Sequence, residues 1–275
     1  MTHFQCKACG AYAPADRWLS LDSCPCCKAI GSIQQAPVSE IFTRKTKRAD
    51  SGFKGEPTKP LAISDLPIQE TPRLDMNAKG WRNPLPRGVT VLVSGDPGAG
   101  KSTFLLQSLS SVVGRVLYVV SEESVYRVAE RARRIGANTS MRLLHCDSLY
   151  TAQRWIDAER PDIAVIDSVN MLRATEDAGE NASLIERLEV LQRDALRMGV
   201  TVVCVSHVGK EGEIYGPRRL EHISDINIHI AVNLDETRTI HGVKNRFDST
   251  GEYAHYTLEA SGLVWCERNQ EKEAS

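Results

Sequence analysis

The chain has 275 residues, 41% hydrophobic and 25% charged, with a formal net charge of −1. That balance suits one well-packed globular domain of about 200 residues plus something smaller. No apolar run approaches the roughly 20 residues a membrane helix needs. The start, Met1 to Cys6, lacks an apolar h-region and a small-residue cleavage site, so a cytoplasmic protein without a membrane partner is expected. Near-neutral charge excludes global basicity as a nucleic-acid signal, yet a local basic stripe can still bind phosphate.

Residues 1–34 form a cysteine-rich head that holds five of the eight cysteines. In a reducing compartment such a cluster reads as a metal site rather than as disulfides. Cys6-x2-Cys9 and Cys24-x2-Cys27, with 14 residues between the pairs, have the spacing of a four-thiolate zinc ribbon. Cys26 offers an alternative ligand, but it breaks the two-residue spacing. So short a stretch has too little core to fold without Zn²⁺.

Residues 35–66 read as a linker, broken by Pro37, Gly52, Gly55, Pro57 and Pro60. Within it, the basic run Arg44 to Arg48 reads either as solvated tether or as an auxiliary phosphate contact. Residues 67–268 are assigned to the main domain, and 269–275 to a disordered tail. From residue 88, short β-branched runs (Val89–Val93, Val116–Val120, Ile163–Ile166, Val200–Val205) alternate with helical stretches. Strands buried on both faces and joined by helices make a parallel α/β sheet. After residue 225 the runs Ile226–Val232, Thr237–Val243, Tyr253–Leu258 and Leu263–Trp265 read as antiparallel strands added to one side.

Gly95-Asp96-Pro97-Gly98-Ala99-Gly100-Lys101-Ser102-Thr103 matches GxxxxGK[ST], directly after a strand and opening a helix expected from Phe104 to about Val112. Its glycines let backbone N–H groups wrap phosphates, and the helix N-terminus adds positive potential. Lys101 is the candidate for the β- and γ-phosphates of ATP, and Ser102 for Mg²⁺. Asp167 ends the run Ile163–Ile166 and takes the Walker B position, supporting Mg²⁺ directly or through water. Glu122 and Glu123 follow the strand ending at Val120. A carboxylate there can activate the attacking water, with Glu122 the first choice, or the pair merely starts a helix, favoured by its dipole. His207, after Val200–Val205, is a candidate γ-phosphate sensor.

Together these residues resemble the bacterial RadA (Sms) family of recombination and repair ATPases, from Cys6 to about Trp265. The specific pieces are the cysteine knuckle, Gly98 to Thr103, Glu122-Glu123-Ser124, Val165 to Ser168, Gly216-Pro217 with Leu220-Glu221-His222, and Lys244-Asn245-Arg246-Phe247. The last looks like the family's KNRFG signature, with Asp248 in place of its glycine. The glycine-rich stretch expected before the first core strand is replaced by Lys79 to Gly88, and no Lon-protease-like domain precedes Ser275.

The resemblance implies a RecA-like P-loop core that forms homo-hexameric rings, binds single-stranded or branched DNA and drives branch migration beside a RecA-type recombinase. On that reading the chain is a DNA-dependent ATPase and a single-stranded-DNA translocase or helicase. Lys244 and Arg246 would reach the neighbour's γ-phosphate, and Arg218 and Arg219 would meet DNA phosphates, or else be surface charges beside Glu221. Two rivals stay open: a KaiC-like signalling ATPase indifferent to DNA, and an ATP-binding recombination adaptor with little turnover.

Overall fold

The computed structural model describes residues 3–6, 12–14, 30–31, 33–36, 62, 73–74, 80–81, 85–137, 140–174, 183–207 and 219–266. The chain divides into two units, Met1–Asp50 and Ser51–Ser275. In the first, β1 (His3–Cys6), β2 (Tyr12–Pro14) and β3 (Ile33–Ala36) form an antiparallel sheet in the order β2-β1-β3. Cys6 ends β1 opposite Ile33. Cys9, Cys24 and Cys27 lie outside the described residues, so the proposed zinc set is not seen as a set.

The second unit is an α/β domain on a nine-stranded sheet. In chain order come β4 (Thr90–Gly95), α1 (Lys101–Ser108), β5 (Val116–Val120), α2 (Val125–Arg134), β6 (Arg142–His145), α3 (Leu149–Glu159), β7 (Ile163–Asp167) and α4 (Leu184–Met198). Then follow β8 (Thr201–Val205), α5 (Arg219–Ile223), β9 (Ile226–Val232), β10 (Arg238–Asn245), β11 (Gly251–Glu259) and β12 (Gly262–Cys266). The strand order is β12-β11-β10-β9-β4-β8-β7-β5-β6. Strands β9, β4, β8, β7, β5 and β6 pair in parallel, and β9 to β12 pair antiparallel.

Continuous apolar runs make these strands because each residue meets core on one face or the other. Val91, Val93, Tyr118, Val120, Val165, Val203, Val205, Ile228 and Ile230 belong to a core layer with Phe104, Leu105, Val128 and Ala132 of α1 and α2. Leu92, Val119, Ala164, Ile166, Val202 and Cys204 join Leu149, Ile156, Leu188 and Leu191 of α3 and α4 in the other. Helix starts follow local chemistry. Ser183 and Glu186 form a capping box on α4, and the Ser124 and Ser148 side chains accept from the Arg127 and Thr151 amides.

Three details differ from the sequence reading. Ile226–Val232 is not simply an antiparallel addition, because β9 pairs parallel with β4 on one side and antiparallel with β10 on the other. The short helix α5 supplies the crossover that a parallel strand requires. Strand β6 was not expected: it lies at the sheet edge and its residues are half-exposed to exposed, so it lacks the continuous apolar run that marks a buried strand. The helix after the P-loop begins at Lys101 and ends at Ser108, with a 3-10 turn over Leu109–Ser111. Among the described residues, no helix is long and apolar enough to cross a membrane.

Candidate nucleotide site

The site lies at the C-terminal edge of the parallel strands, where β4, β5, β7 and β8 all end. After β4 the chain turns through Asp96 to Gly100, with Ala99 N–H bonded to Asp96 O at 3.1 Å. Gly100 is the residue before α1 and has φ 91°, a left-handed conformation that an L side chain resists. Gly95 is required for space as well: a Cβ there would lie 2.4 Å from the Ile230 carbonyl oxygen on β9. Tyr256 on β11 supports the loop from below by donating to Ala99 O at 3.0 Å.

Lys101 is buried, at 5% exposure. Its ammonium donates to Gly95 O at 2.7 Å and Asp96 O at 2.9 Å, and meets His207 Nδ1 at 3.1 Å. Burial lowers its pKa, while the nearby charges of Asp167, Glu122 and Asp96 partly restore it. Because a lysine ammonium has no acceptor, Nδ1 of His207 accepts, which assigns the proton to Nε2. Nε2 then donates to Glu122 Oε1 at 2.8 Å. Glu122 Oε1 also accepts from the Ser168 hydroxyl. Asn170 Oδ1 takes the His207 backbone N–H at 3.1 Å. One connected chain thus runs Lys101–His207–Glu122–Ser168.

Asp167 accepts from Tyr118 Oη at 2.6 Å and from the Ser102 hydroxyl. Burial pushes its carboxyl above the ordinary range, while those two hydrogen bonds favour the charged form. The Asp167–Ser168 peptide is cis. Ser121 hydroxyl donates to Ser168 O at 2.8 Å and accepts from Ser168 N–H at 2.9 Å, which ties the ends of β5 and β7 together.

The two adjacent glutamates have different surroundings. Both oxygens of Glu123 are held by Arg131 of α2, at 2.8 and 2.9 Å. Glu122 instead faces Lys101, His207 and Ser168. Glu123 is engaged on both oxygens by Arg131, whereas Glu122 is the carboxylate presented to the loop.

Of the residues chosen from sequence, Lys101, Ser102, Glu122, Asp167 and His207 come together. Lys244 and Arg246 do not join them within the subunit. Asn245 pairs with Ile226, and Ile226 with Val91 near the start of β4. The two cations therefore sit at the opposite edge of the sheet, roughly 13 Å of strand from Gly95. Lys244 Nζ donates to the Glu221, His222 and Ser224 carbonyls at 3.1, 3.0 and 2.5 Å. Arg246, 58% exposed, pairs with Asp225 at 3.5 Å. Arg218 lies outside the described residues; Arg219 opens α5, and its side chain is outside them too.

Tyr118, Ser121, Ser168 and Asn170 were missed as site residues. A phenol inside an otherwise aliphatic run was a signal for Tyr118, and adjacency to Asp167 one for Ser168. Nothing in the sequence distinguished Ser121 or Asn170.

A family model described as an AAA domain matches residues 57–213. The DNA repair protein RadA of Escherichia coli (strain K12) is 33% identical over 273 residues, 94% of this chain and 58% of that protein. The protein of the same name from Listeria monocytogenes serovar 1/2a is 34% identical over 275 residues, 96% of this chain and 58% of its own length. The chain thus spans just over half the length of these relatives. A KaiC-like protein from Pyrococcus horikoshii OT3 superposes with a TM-score of 0.58 at 20% identity, covering 72% of this chain and all of that one. That likeness establishes a shared fold. The identity to RadA proteins, by contrast, is a third of residues sustained over nearly the whole chain, well beyond the AAA domain match, and it identifies this chain as a member of the RadA/Sms family.

Proposed function

We propose that the chain is a DNA-dependent ATPase of recombination and repair, acting on single-stranded or branched DNA as a translocase or helicase. The observation that carries this reading is the convergence of Lys101, Ser102, Glu122, Asp167 and His207 beside one phosphate-binding loop. RadA proteins are described as DNA repair proteins, which supplies the DNA.

ATP binding exchanges the Gly95 and Asp96 carbonyls around the Lys101 ammonium for phosphate oxygens, a stronger charge-assisted contact. Ser102 and Asp167 are hydrogen-bonded neighbours offering the hydroxyl and carboxylate oxygens that Mg²⁺ prefers, so these two would hold it. There Mg²⁺ would supply charge neutralisation between the β- and γ-phosphates. Glu122 takes the proton of the attacking water as its oxygen bonds to the γ-phosphorus and ADP leaves. His207 bridges Glu122 to Lys101, so its hydrogen bonds change when a γ-phosphate meets the lysine.

The placement of Lys244 and Arg246 on the far edge supports their use in a neighbouring subunit's site, within a head-to-tail homo-hexamer. Zinc held by Cys6, Cys9, Cys24 and Cys27, DNA contact by Arg218 and Arg219, and a RecA-type recombinase as partner complete the proposal. The test is ATP turnover with and without single-stranded DNA at fixed salt, because phosphate binding is salt-dependent. Stimulation by DNA is expected; turnover indifferent to DNA would favour a signalling ATPase, and negligible turnover an adaptor.

A further inference from the structure

Strands β9 and β10 are joined by the turn Asn233–Thr237, which is firmly built. Asn233 N–H donates to Thr237 O at 2.8 Å, and its side-chain amide reaches Thr237 Oγ1 at 2.8 Å and Thr239 Oγ1 at 2.9 Å. Glu236 takes the left-handed conformation, φ 62°, to close the turn. β9 runs parallel to β4 and continues past the Gly95–Ile230 pair to Val232. The turn therefore stands at the same sheet edge as the P-loop.

Arg238 is the first residue of β10 and lies directly opposite both Val232 and Tyr256. Directly paired residues share a face, so Arg238 is on the face of Tyr256, whose hydroxyl touches the P-loop carbonyl of Ala99. The Arg238 charge is felt at that phenol. The guanidinium itself is lightly held: Nη1 donates to Glu236 O, and Nε is buried without an acceptor among the described residues. A buried N–H lacking an acceptor is costly, and shifting toward one is favourable.

Direction across the sheet gives the ligand. The groups that would meet the γ-phosphate come from β5, β7 and β8, all on one side of β4. A triphosphate lying through the loop with its γ end there leads its nucleoside to the other side, over β9, β10 and β11. Leu258 lines that way, 3.4 Å from where a Cβ on Gly100 would be. We propose that Arg238 binds the nucleoside end of ATP, its planar guanidinium packing on the base or donating to a ring nitrogen. This rests on the ATPase reading above and assigns the base-side contact of the same site.

The test compares binding of ATP, ADP and inorganic tripolyphosphate to the full chain and to Arg238→Ala. The variant is expected to lose about tenfold in affinity for ATP and ADP, the scale of one good contact, while tripolyphosphate binding is unchanged. Equal ATP affinity in both proteins, or parallel loss of all three ligands, would overturn the proposal. Should Arg238→Ala not fold, photolabelling of the unaltered protein with 8-azido-ATP decides. Adducts within residues 232–238 or 256–258 support it, and adducts confined elsewhere overturn it. Unaltered protein that binds tripolyphosphate but not ATP also overturns it. Failure to bind either one would instead sink the ATPase reading on which it rests.

Discussion

Tyr118 on β5 donates its phenolic hydrogen to Oδ2 of Asp167 on β7 at 2.6 Å, from a ring with no exposed surface. Burial already works against the Asp167 carboxylate, and this hydrogen bond is one of two that favour it. Removing a donor to the charged form raises the carboxyl pKa, so protonation sets in at a higher pH. Tyr118→Phe should therefore move the acid limb of the ATPase pH profile upward. It should also lower stability by about 1–3 kcal/mol in urea unfolding at neutral pH. An acid limb left in place would show that Asp167 does not govern it.

The contrast between the two glutamates gives a paired prediction. Glu122→Gln should retain ATP binding while hydrolysis falls by about 10²-fold or more, the scale of losing a positioned base. Glu123→Gln should keep turnover within a few-fold, because its carboxylate serves Arg131. The reverse outcome in single-turnover assays would reassign the base.

Arg246 tests whether the site is completed by a neighbour. Arg246→Ala should bind ATP and lose most of its turnover, about 10³-fold where a positioned arginine is lost. Lys101→Ala should lose both. Mixing the two inactive proteins should restore part of the activity, since some interfaces then carry a sound loop and a sound Arg246. With subunit exchange verified by a sizing measurement, no recovery would mean that Arg246 does not act in trans.

Gly242 on β10 makes room for the ring of Tyr253, since a Cβ there would fall 2.1 Å from that side chain. The Tyr253 hydroxyl in turn accepts from Asn245 at 3.2 Å and donates to Ser249 O at 3.1 Å, bracing the turn that carries Arg246. Gly242→Ala should cost about 1–3 kcal/mol by overpacking. Adding Tyr253→Ala should recover part of that loss, because the clashing atoms are gone. Strict additivity in denaturant unfolding would show that the two positions do not crowd each other.

For the cysteine head, metal analysis should find about one zinc per chain, and Cys9→Ser should release it. ATP binding should survive, because the P-loop belongs to the other unit. A metal-free preparation with a folded N-terminus would remove zinc from the reading.

The parallel strands were legible because burial on both faces writes itself as an unbroken apolar run, as in Ile163–Ile166. The positions of the loop, Asp167 and Glu122 at one sheet edge were legible because each directly follows or ends an apolar strand run. Strand β6 was not, since an exposed edge places few demands on side chains. Nor were the contacts of Ser121 and Asn170, which depend on which strand ends become neighbours in space. The sequence placed Lys244 and Arg246 on one strand end, but their distance from the loop follows from the direction of β10, which pairing alone reveals.

Lys244 has three N–H donors and directs all of them at carbonyls of Glu221, His222 and Ser224. Those carbonyls belong to the end of α5 and the residue just after it; α5 is a helix of five residues, far below the roughly 12 at which a helix persists unaided. Strand β10 therefore templates a helix that precedes it in the chain. Opening of α5 is expected to be coupled to the separation of β10 from it. The amide of Ser224, bonded to Leu220 O, should then exchange its hydrogen in step with the β10 amides rather than with those of the longer helices.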